Sequence, residues 1–220
     1  MPKRGGTHAD IARTEPVLTD QQLTALTTLF RHGSDDASLA LSRWLSRPSQ
    51  VSIEQVEQVP LSEATDVLGH ADDAVCFCAM TLSGLVTGEL ILSFDDASGL
   101  ALADLLLGNR IGTATRWGEI EQSAALETAN IIGCAYLNTL ARCFPEKDAQ
   151  SPELVPSPPK FSRDFPEALM EFALMNQAMA SDTVFLTRTE FRIEGAPVNC
   201  NLLFVPDAHC LATLREMLPG

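Results

Sequence analysis

The segment 21–45 has apolar residues at helical spacing on one side and polar residues on the other, which predicts an amphipathic helix. The predicted core stripe contains Leu26, Phe30, Ala37, Leu41 and Trp44. The opposite stripe contains Thr24, Thr28, Arg31, Asp35 and Ser42. Thr19 and Asp20 are both suitable N-cap residues. Gly33 lies inside this helix and costs about 1 kcal/mol relative to alanine, which indicates a close approach or a bend.

A second long helix is predicted over 119–144 by the same reasoning. Its core stripe contains Ala125, Ala129, Ile132, Tyr136, Leu140 and Cys143. Its polar stripe contains Glu119, Ser123, Glu127, Asn130, Cys134 and Asn138. Residues three apart on a helix are surface neighbours, so Glu127 and Asn130 present a carboxylate and an amide side by side. Such a pair can bind a cation and a water molecule together.

Strands and shorter helices are predicted between and after these two helices. Alternating apolar and polar residues predict a strand over 51–59. One hairpin joins 74–82 to 85–94 through the two-residue turn Ser83-Gly84, and another joins 183–193 to 197–205 around Glu194-Gly195. Helices are predicted over 61–68, over 97–108 with Gly108 just past the end, over about 166–179, and from an Asp207 cap to Leu218.

The same order of elements occurs twice. FDDASGLALADLLLG in the first half matches FVPDAHCLATLREMLPG in the second, with Asp96 on Asp207 and Leu100 on Leu211, a constant shift of 111 (207 − 96 and 211 − 100). Two such copies predict an α+β fold with a pseudo-twofold axis and a mostly antiparallel sheet that carries long helices. The repeats span about 18–110 and 115–220, and they follow a tail, residues 1–17, that we expect to be flexible.

The acidic composition argues against some classes of binding partner and favours others. A formal charge of −14 and an isoelectric point near 4.5 argue against nucleic acid, because phosphate binding relies on clustered Lys and Arg. An acidic body favours partners with exposed lysines or a bound divalent cation. The chain has neither the apolar core of a signal peptide nor the ~18 consecutive apolar residues of a membrane span. We therefore expect a cytoplasmic protein without membrane insertion.

Cysteine, histidine and the larger aromatic residues form no recognisable reactive motif. The six cysteines lack metal-site spacing, and Cys76 and Cys78 alternate as one face of a strand, so we expect reduced thiols packed as small apolar groups. The four histidines are isolated in the sequence, which argues against a catalytic triad or a zinc site. Trp44, Trp117 and Tyr136 are interpreted as core or seam residues rather than ligand platforms.

Three stretches, SAALETANIIGCAYLNTLA, SPPKFSRDFPEAL and LLFVPDAHCLATL, together resemble the CheC family of chemotaxis phosphatases, which includes CheX and the phosphatase part of FliY. LTDQQLTALTTLFRHGSDDASLALSRWL and the following VSIEQVEQVPLSEA match the N-terminal copy of that family in order and length. The likeness covers about residues 18–218 and implies one CheC-like domain over 18–220. The E-x-x-N motif alone is nonspecific, but its position in a duplicated unit makes it informative.

The resemblance implies dephosphorylation of a phosphorylated CheY-like response regulator. Glu127 would pair with the regulator's active-site lysine, and Asn130 would hold a water molecule in line with the phosphorus. The protein would need no cofactor or metal site of its own, since the Mg²⁺ belongs to the receiver. Ser123 and Asn138 share the polar stripe, where they either contact the partner or face solvent.

The first copy departs from the pattern of family members with two active sites, because Thr28 falls at the Glu position and Arg31 at the Asn position. Threonine cannot reach a lysine, and arginine would meet it with like charge, so we predict one working site per chain. The alternative is that Thr28 and Arg31 form a changed docking surface. Three other readings stay open: a binding module for a receiver, a CheD-like protein or a flagellar switch component; a homodimer through the exposed helix; and an ordinary solvated helix face.

Overall fold

The computed structural model describes residues 17–60, 63–64, 73–84, 86–142, 154–168, 183–194 and 196–219. In chain order the elements are α1 (Asp20–Leu45), β1 (Ser49–Ile53), β2 (Glu57–Pro60), β3 (Val75–Ser83), β4 (Gly88–Asp95), α2 (Asp96–Leu107), α3 (Glu119–Ala141), β5 (Val155–Pro156), β6 (Lys160–Asp164), β7 (Thr183–Ile193), β8 (Ala196–Pro206) and α4 (Ala208–Met217). The helices predicted over 61–68 and 166–179 lie mostly outside the described residues. Only 63–64 and 166–168 belong to them, and these are helical.

The local signals of the longer elements are confirmed. Thr19 caps α1 through a reciprocal pair with Gln22, in which each side chain bonds to the backbone amide of the other residue. Gly108 ends α2 with a positive φ of 74°, a backbone conformation that glycine adopts without strain. Asp207 caps α4, as predicted, by accepting a hydrogen bond from the amide of Cys210.

The strand predicted over 51–59 is divided in two. Ile53 pairs with Thr189 and Glu57 pairs with Leu186. Between these two pairs, the segment from β1 to β2 is four residues long, whereas the matching segment of β7 is three residues long. The extra residue is a bulge. It turns both Val51 and Val56 into the core beneath the helices, whereas an unbroken strand would place residues five apart on opposite faces. The amide of Val56 donates to Thr27 Oγ1 (3.0 Å) instead of to the sheet.

The first hairpin differs from the prediction, whereas the second agrees with it. β3 ends at Ser83 and β4 begins only at Gly88, so their connection is longer than the two-residue turn expected at Ser83-Gly84. Gly84 and Gly88 both have positive φ, and a Cβ on Gly88 would overlap the carbonyl of Val205. In the second hairpin β7 and β8 are joined through 194–195, as predicted.

The strands form one antiparallel sheet in which the two repeats exchange their edge strands. The order is β1-β7-β8-β4-β3-β5, with β2 beside β7 and β6 beside β3. The short strands β1 and β2 of the first repeat therefore pair with β7 of the second. Likewise β5 and β6 of the second repeat pair with β3 of the first. The central pair is β4 with β8.

The duplication is confirmed, but its register is 112 rather than 111. Asp95, not Asp96, caps α2, and it corresponds to the Asp207 cap of α4 (207 − 95 = 112). Ile91 pairs across the sheet with Leu203, which is the same distance away (203 − 91 = 112). A residue that pairs with its own equivalent lies on the symmetry axis, so the pseudo-twofold axis passes through this pair.

The sheet has two different faces. α1 and α3 cover one face and form the larger core with residues such as Leu26, Phe30, Ile132 and Phe204. On the other face a smaller core contains Ala64, Phe77, Ala79, Ile91, Val184, Leu186, Leu203 and Val205. Trp44 is a correction to the predicted core stripe, because it is 43% exposed at the last turn of α1. Tyr136 is buried and Trp117 is partly buried, as predicted.

Candidate functional site

Helix α3 carries the predicted site, and its beginning is fixed to the rest of the protein. The amide of Gly118, the N-cap residue, donates to the Glu121 carboxylate (3.0 Å). The Trp117 indole, one residue earlier, donates to Asp96 Oδ1 (3.0 Å), and its ring lies 4.9 Å from that of Phe161. Asp96 Oδ1 also accepts a hydrogen bond from Arg163 Nε (2.9 Å). These contacts tie the start of α3 to α2 and to the edge strand β6.

The inward side of α3 packs as its apolar stripe predicts. Ala125, Ala129, Ile132, Tyr136 and Leu140 are all buried. The backbone at Gly33 of α1 approaches Tyr136 so closely that a Cβ there would lie 2.6 Å from the ring carbon Cδ1. This is the close approach that the glycine in the α1 pattern indicated. Core packing along these turns of α3 sets the direction of the polar stripe.

The outward side presents Glu127 and Asn130 to solvent. Glu127 is exposed and Asn130 is half-buried, one turn apart on the helix. Within the part of the chain that the structure describes, the Glu127 carboxylate takes part in no hydrogen bond or ion pair. The Asn130 amide contacts the thiol of Cys134, whose Sγ lies 3.8 Å from Asn130 Oδ1, a weak bond. The Glu127 side chain is open to solvent, and the Asn130 side chain keeps part of its surface exposed.

Cys134 belongs to this site, although its residue type gave no functional signal. It is half-buried, one turn beyond Asn130. Burial raises the pKa of the thiol, and the Glu127 carboxylate raises it further. A thiol with a raised pKa stays protonated at neutral pH, so it donates to the amide oxygen of Asn130. Its position in the polar stripe at i+4 from Asn130 was the only available indication.

The remaining predicted site residues occupy exposed positions. Ser123 and Asn138 are exposed on the same face of α3 as Glu127. Thr28 and Arg31 are exposed on α1, which packs beside α3. The Thr28 hydroxyl donates to the carbonyl of Thr24 (3.0 Å), and Arg31 has no ion pair among the described residues. The two helices are also joined at the surface by Arg142 and Asp36, 3.1 Å apart.

This geometry suits positioning better than nucleophilic chemistry. A carboxylate and an amide on one rigid helical turn can hold a cation and a water molecule at a fixed separation. Phosphoryl transfer passes through a loose, charge-spread transition state, so orientation of water and placement of charge supply most of the catalysis. Such a reaction requires a second molecule that brings the phosphoryl group to the open face of α3.

The fold and the site together describe a duplicated α+β protein whose paired helices display an open polar face. No protein-family model matches the sequence. Among solved structures, Thermotoga maritima FliY is similar, with 18% identity and a TM-score of 0.71 over 92% of this chain and 98% of that one. The FliM middle domain from H. pylori is also similar, with 13% identity and a TM-score of 0.66 over 91% of this chain and 100% of that one.

These likenesses confirm the CheC-like fold that the sequence resemblance predicted. The identities are low, so they establish the architecture rather than an activity. FliM middle domains share this architecture with FliY, so the fold occurs in more than one kind of protein. Within the described ranges, none of the helices combines the length and the apolar character required to span a bilayer.

Proposed function

We propose that this protein is a phosphatase that hydrolyses the aspartyl phosphate of a CheY-like response regulator, with one active site per chain. The observation that carries the proposal is the outward display of Glu127 and Asn130 on a helix whose opposite face is buried. Had either side chain been turned inward or covered by its own chain, no receiver could reach it. The resemblance of the surrounding sequence to CheC-type phosphatases supplies the reaction.

In this proposal the two residues have separate roles. Glu127 pairs with the lysine of the receiver's active site and so fixes the docking geometry. Asn130 accepts a hydrogen bond from a water molecule and holds it in line with the phosphorus. Mg²⁺ stays with the receiver, so the chain supplies only a positioned carboxylate and a positioned amide. A negative charge on Glu127 also complements the lysine electrostatically, which favours rapid association.

The test follows the decay of the phosphoryl group on purified phosphorylated receivers with Mg²⁺, in the presence of wild-type protein or a variant. We expect the wild-type protein to accelerate decay. We expect Asn130→Ala to lower the maximal rate by on the order of 10²-fold, because the water is no longer held in line. We expect Glu127→Gln to lower kcat/KM by about tenfold, chiefly through KM, because it keeps the shape and removes the charge.

Matched controls are available on other surfaces of the chain. Glu216→Ala removes an exposed carboxylate from α4, and Asn109→Ala removes an exposed amide after α2. Both are expected to leave the decay rate unchanged. If wild-type protein leaves the phosphate lifetime unchanged with several receivers, the phosphatase proposal is wrong.

A second candidate function is a non-catalytic binding module for a receiver, a CheD-like protein or a flagellar switch component. It is favoured by FliM-type neighbours, since chains of this fold occur in a FliG–FliM complex (TM-score 0.62) and a FliM–SpeE complex (TM-score 0.66) from H. pylori. The exposed Thr28 and Arg31, in place of a second E-x-x-N pair, also favour it. A stable complex with a phosphorylated receiver whose phosphate lifetime is unchanged would select this function.

A further inference from the structure

The outer face of the helix pair carries the two most exposed large apolar side chains of the described residues. Ile120 on α3 is 64% exposed, and Leu39 on α1 is 57% exposed. Isolated exposed apolar residues are common on protein surfaces and need no special explanation. These two residues differ because each lies in line with a copy of the E-x-x-N pattern.

Ile120 belongs to the same stripe of α3 as Glu127 and Asn130. It precedes Glu127 by seven residues, or two helical turns, so the two side chains point in nearly the same direction about 10 Å apart. Ser123 is exposed between them. Because most of its surface is in solvent, Ile120 contributes little to the core, and packing within the chain does not account for it.

Leu39 lies on the corresponding stripe of α1. It follows Thr28 by eleven residues, or about three turns, and so shares the face of Thr28 and Arg31. The pseudo-twofold axis relates α1 to α3 on one face of the sheet, so the axis is perpendicular to the sheet. Two helices related by such an axis run in opposite directions.

The contact between the two helices brings Leu39 close to the proposed site. Gly33 of α1 approaches Tyr136 of α3. Leu39 lies six residues nearer the end of α1, and Asn130 lies six residues nearer the start of α3 (39 − 33 and 136 − 130). Because the helices are antiparallel, both steps go in the same direction, and Leu39 lies beside the turn that carries Asn130. Leu39 and Ile120 therefore flank the proposed site.

The charges of α3 indicate which partner suits this surface. The helix contains three glutamates and no lysine or arginine, and Glu119 and Glu127 are exposed near Ile120. An apolar side chain among carboxylates fits a partner surface on which apolar side chains surround a lysine. A second copy of this chain is a poor match, because its α3 would bring the same carboxylates against each other.

We propose that Ile120 and Leu39 are apolar contacts that set the affinity for the receiver. This inference rests on the proposed function, because it names the receiver as the partner. A stable interface covers about 800 Å² on each protein, a patch roughly 30 Å across that includes both residues when it is centred on Glu127. Burial of two exposed aliphatic side chains contributes to binding through the hydrophobic effect, whereas an exposed ion pair contributes little.

Direct binding tests the proposal without any requirement for phosphatase activity. Purified CheY-like receivers are held with beryllofluoride and Mg²⁺ in a state that mimics phosphorylation, and their Kd for the full chain is measured by isothermal titration. We expect Ile120→Ala and Leu39→Ala each to raise the Kd about five- to tenfold, as truncation of an aliphatic side chain at an interface does. The double variant is expected to show the product of the two effects, because the residues are well separated. Alanine is a good helix former, so neither helix is expected to unfold.

Ile111→Ala is the matched control. Ile111 is 55% exposed, but it lies in the loop between α2 and α3 rather than on either helix stripe. This variant is expected to leave the Kd unchanged. With a receiver whose phosphate decay the wild-type protein accelerates, Ile120→Ala is expected to raise KM and leave kcat unchanged, because the side chain does not touch the phosphoryl group.

The possible results separate this docking surface from the proposed phosphatase activity. If both alanine variants weaken binding while the wild-type protein leaves every phosphate lifetime unchanged, the docking surface stands and the phosphatase function is wrong. If the wild-type protein accelerates decay but neither variant changes the Kd, or if Ile111→Ala weakens binding equally, the inference is overturned. It is also overturned if no receiver binds below about 1 mM. Self-association that Ile120→Ala abolishes, measured by sedimentation, would assign this face to a second copy instead.

Discussion

The phenol oxygen of Tyr136 lies 2.7 Å from Ser34 Oγ in the buried contact between α3 and α1. The Ser34 hydroxyl donates its own proton to the carbonyl of Phe30 (3.1 Å), so the phenol is the donor to Ser34. The Phe30 ring lies beside the phenol, with 5.2 Å between ring centroids. This hydrogen bond therefore joins the two helices behind the proposed site.

The direction of this hydrogen bond predicts unequal effects for its two ends. Tyr136→Phe leaves Ser34 bonded to Phe30 and is expected to lower the free energy of unfolding by about 1 kcal/mol. Ser34→Ala leaves the buried phenol without an acceptor and is expected to cost about 1–3 kcal/mol. Urea unfolding with an unchanged m-value measures both. If Tyr136→Phe costs more than Ser34→Ala, the assigned donor is wrong.

The closeness of α1 and α3 predicts that Gly33→Ala destabilises the protein, although alanine favours helix. A Cβ at this position would lie 2.6 Å from Tyr136 Cδ1 and 3.1 Å from its Cα, and a buried ring has little freedom to move. Overpacking of this kind costs about 1–3 kcal/mol. That cost exceeds the roughly 1 kcal/mol that alanine gains over glycine in a helix. We expect a lower midpoint of urea unfolding for Gly33→Ala.

Two comparison variants distinguish a steric clash at Gly33 from a general effect of alanine in these helices. Thr24→Ala, at an exposed position of the same helix, gains helix propensity without a clash and is expected to be neutral or stabilising. A Cβ at Gly133 on α3 would overlap only the flexible end of the Met80 side chain and would make an ordinary contact with Leu90, so Gly133→Ala is expected to cost less than Gly33→Ala. A stabilising Gly33→Ala would contradict the close helix contact.

The ion pair between Asp96 and Arg163 is expected to stabilise the fold in a pH-dependent way. The Arg163 guanidinium holds the pKa of this carboxyl at about 2, with further help from the Trp117 indole and Cys76. Because the folded-state pKa lies below the unfolded one, the contribution is present above about pH 4 and is lost as the pH falls toward 2. Asp96 is 38% exposed, so screening reduces it to about 1 kcal/mol at neutral pH.

Asp96→Asn is therefore expected to lower stability at pH 7 and to approach wild type near pH 2. Arg163→Gln is expected to show the same loss, and the double variant to show less than the sum of the two. Chemical unfolding at several pH values measures these differences, and Trp117 fluorescence reports the local contact. A difference between Asp96→Asn and wild type that is independent of pH would show that the ion pair contributes nothing.

The helical periodicity of the sequence was sufficient to predict the direction of Glu127 and Asn130, because packing along one helix fixes both faces. It was insufficient at Asp95 and Asp96. Either aspartate can cap the helix that follows, and the choice depends on Arg163, which is 67 positions away in the chain and approaches only across the sheet. The register of 112 follows from that choice.

The exchange of edge strands between the two repeats also could not be predicted from the local sequence pattern. Alternation marks a segment as a strand but does not specify its partner, and β1 pairs with β7 from the other repeat. The bulge between β1 and β2 exists because Val51 and Val56 must both face the helices, a requirement set by the sheet and α1 together. Cys134 was missed for a similar reason, since a thiol acquires a role only from its neighbours Asn130 and Glu127.

The proposed phosphatase function predicts a gain of function when the first copy of the motif is restored on α1. Thr28 and Arg31 are exposed on α1, at the positions that match Glu127 and Asn130 in the family pattern. In a chain made inactive by Glu127→Ala and Asn130→Ala, we expect Thr28→Glu with Arg31→Asn to restore measurable receiver dephosphorylation. In the otherwise wild-type chain, the same pair is expected to raise the rate per chain up to about twofold, as two independent sites would.

A matched variant distinguishes a rebuilt site from a change in surface charge. Thr28→Gln with Arg31→Asn removes the same arginine but lacks the carboxylate for the receiver's lysine, so we expect little recovery. The gain in helix propensity from threonine to glutamate or glutamine roughly offsets the loss from arginine to asparagine, so neither variant is expected to unfold α1. If both variants fail while Glu127 and Asn130 are shown to be catalytic, α1 does not present these positions to a receiver as α3 does. Arg31 then belongs to a changed docking surface rather than to a lost active site.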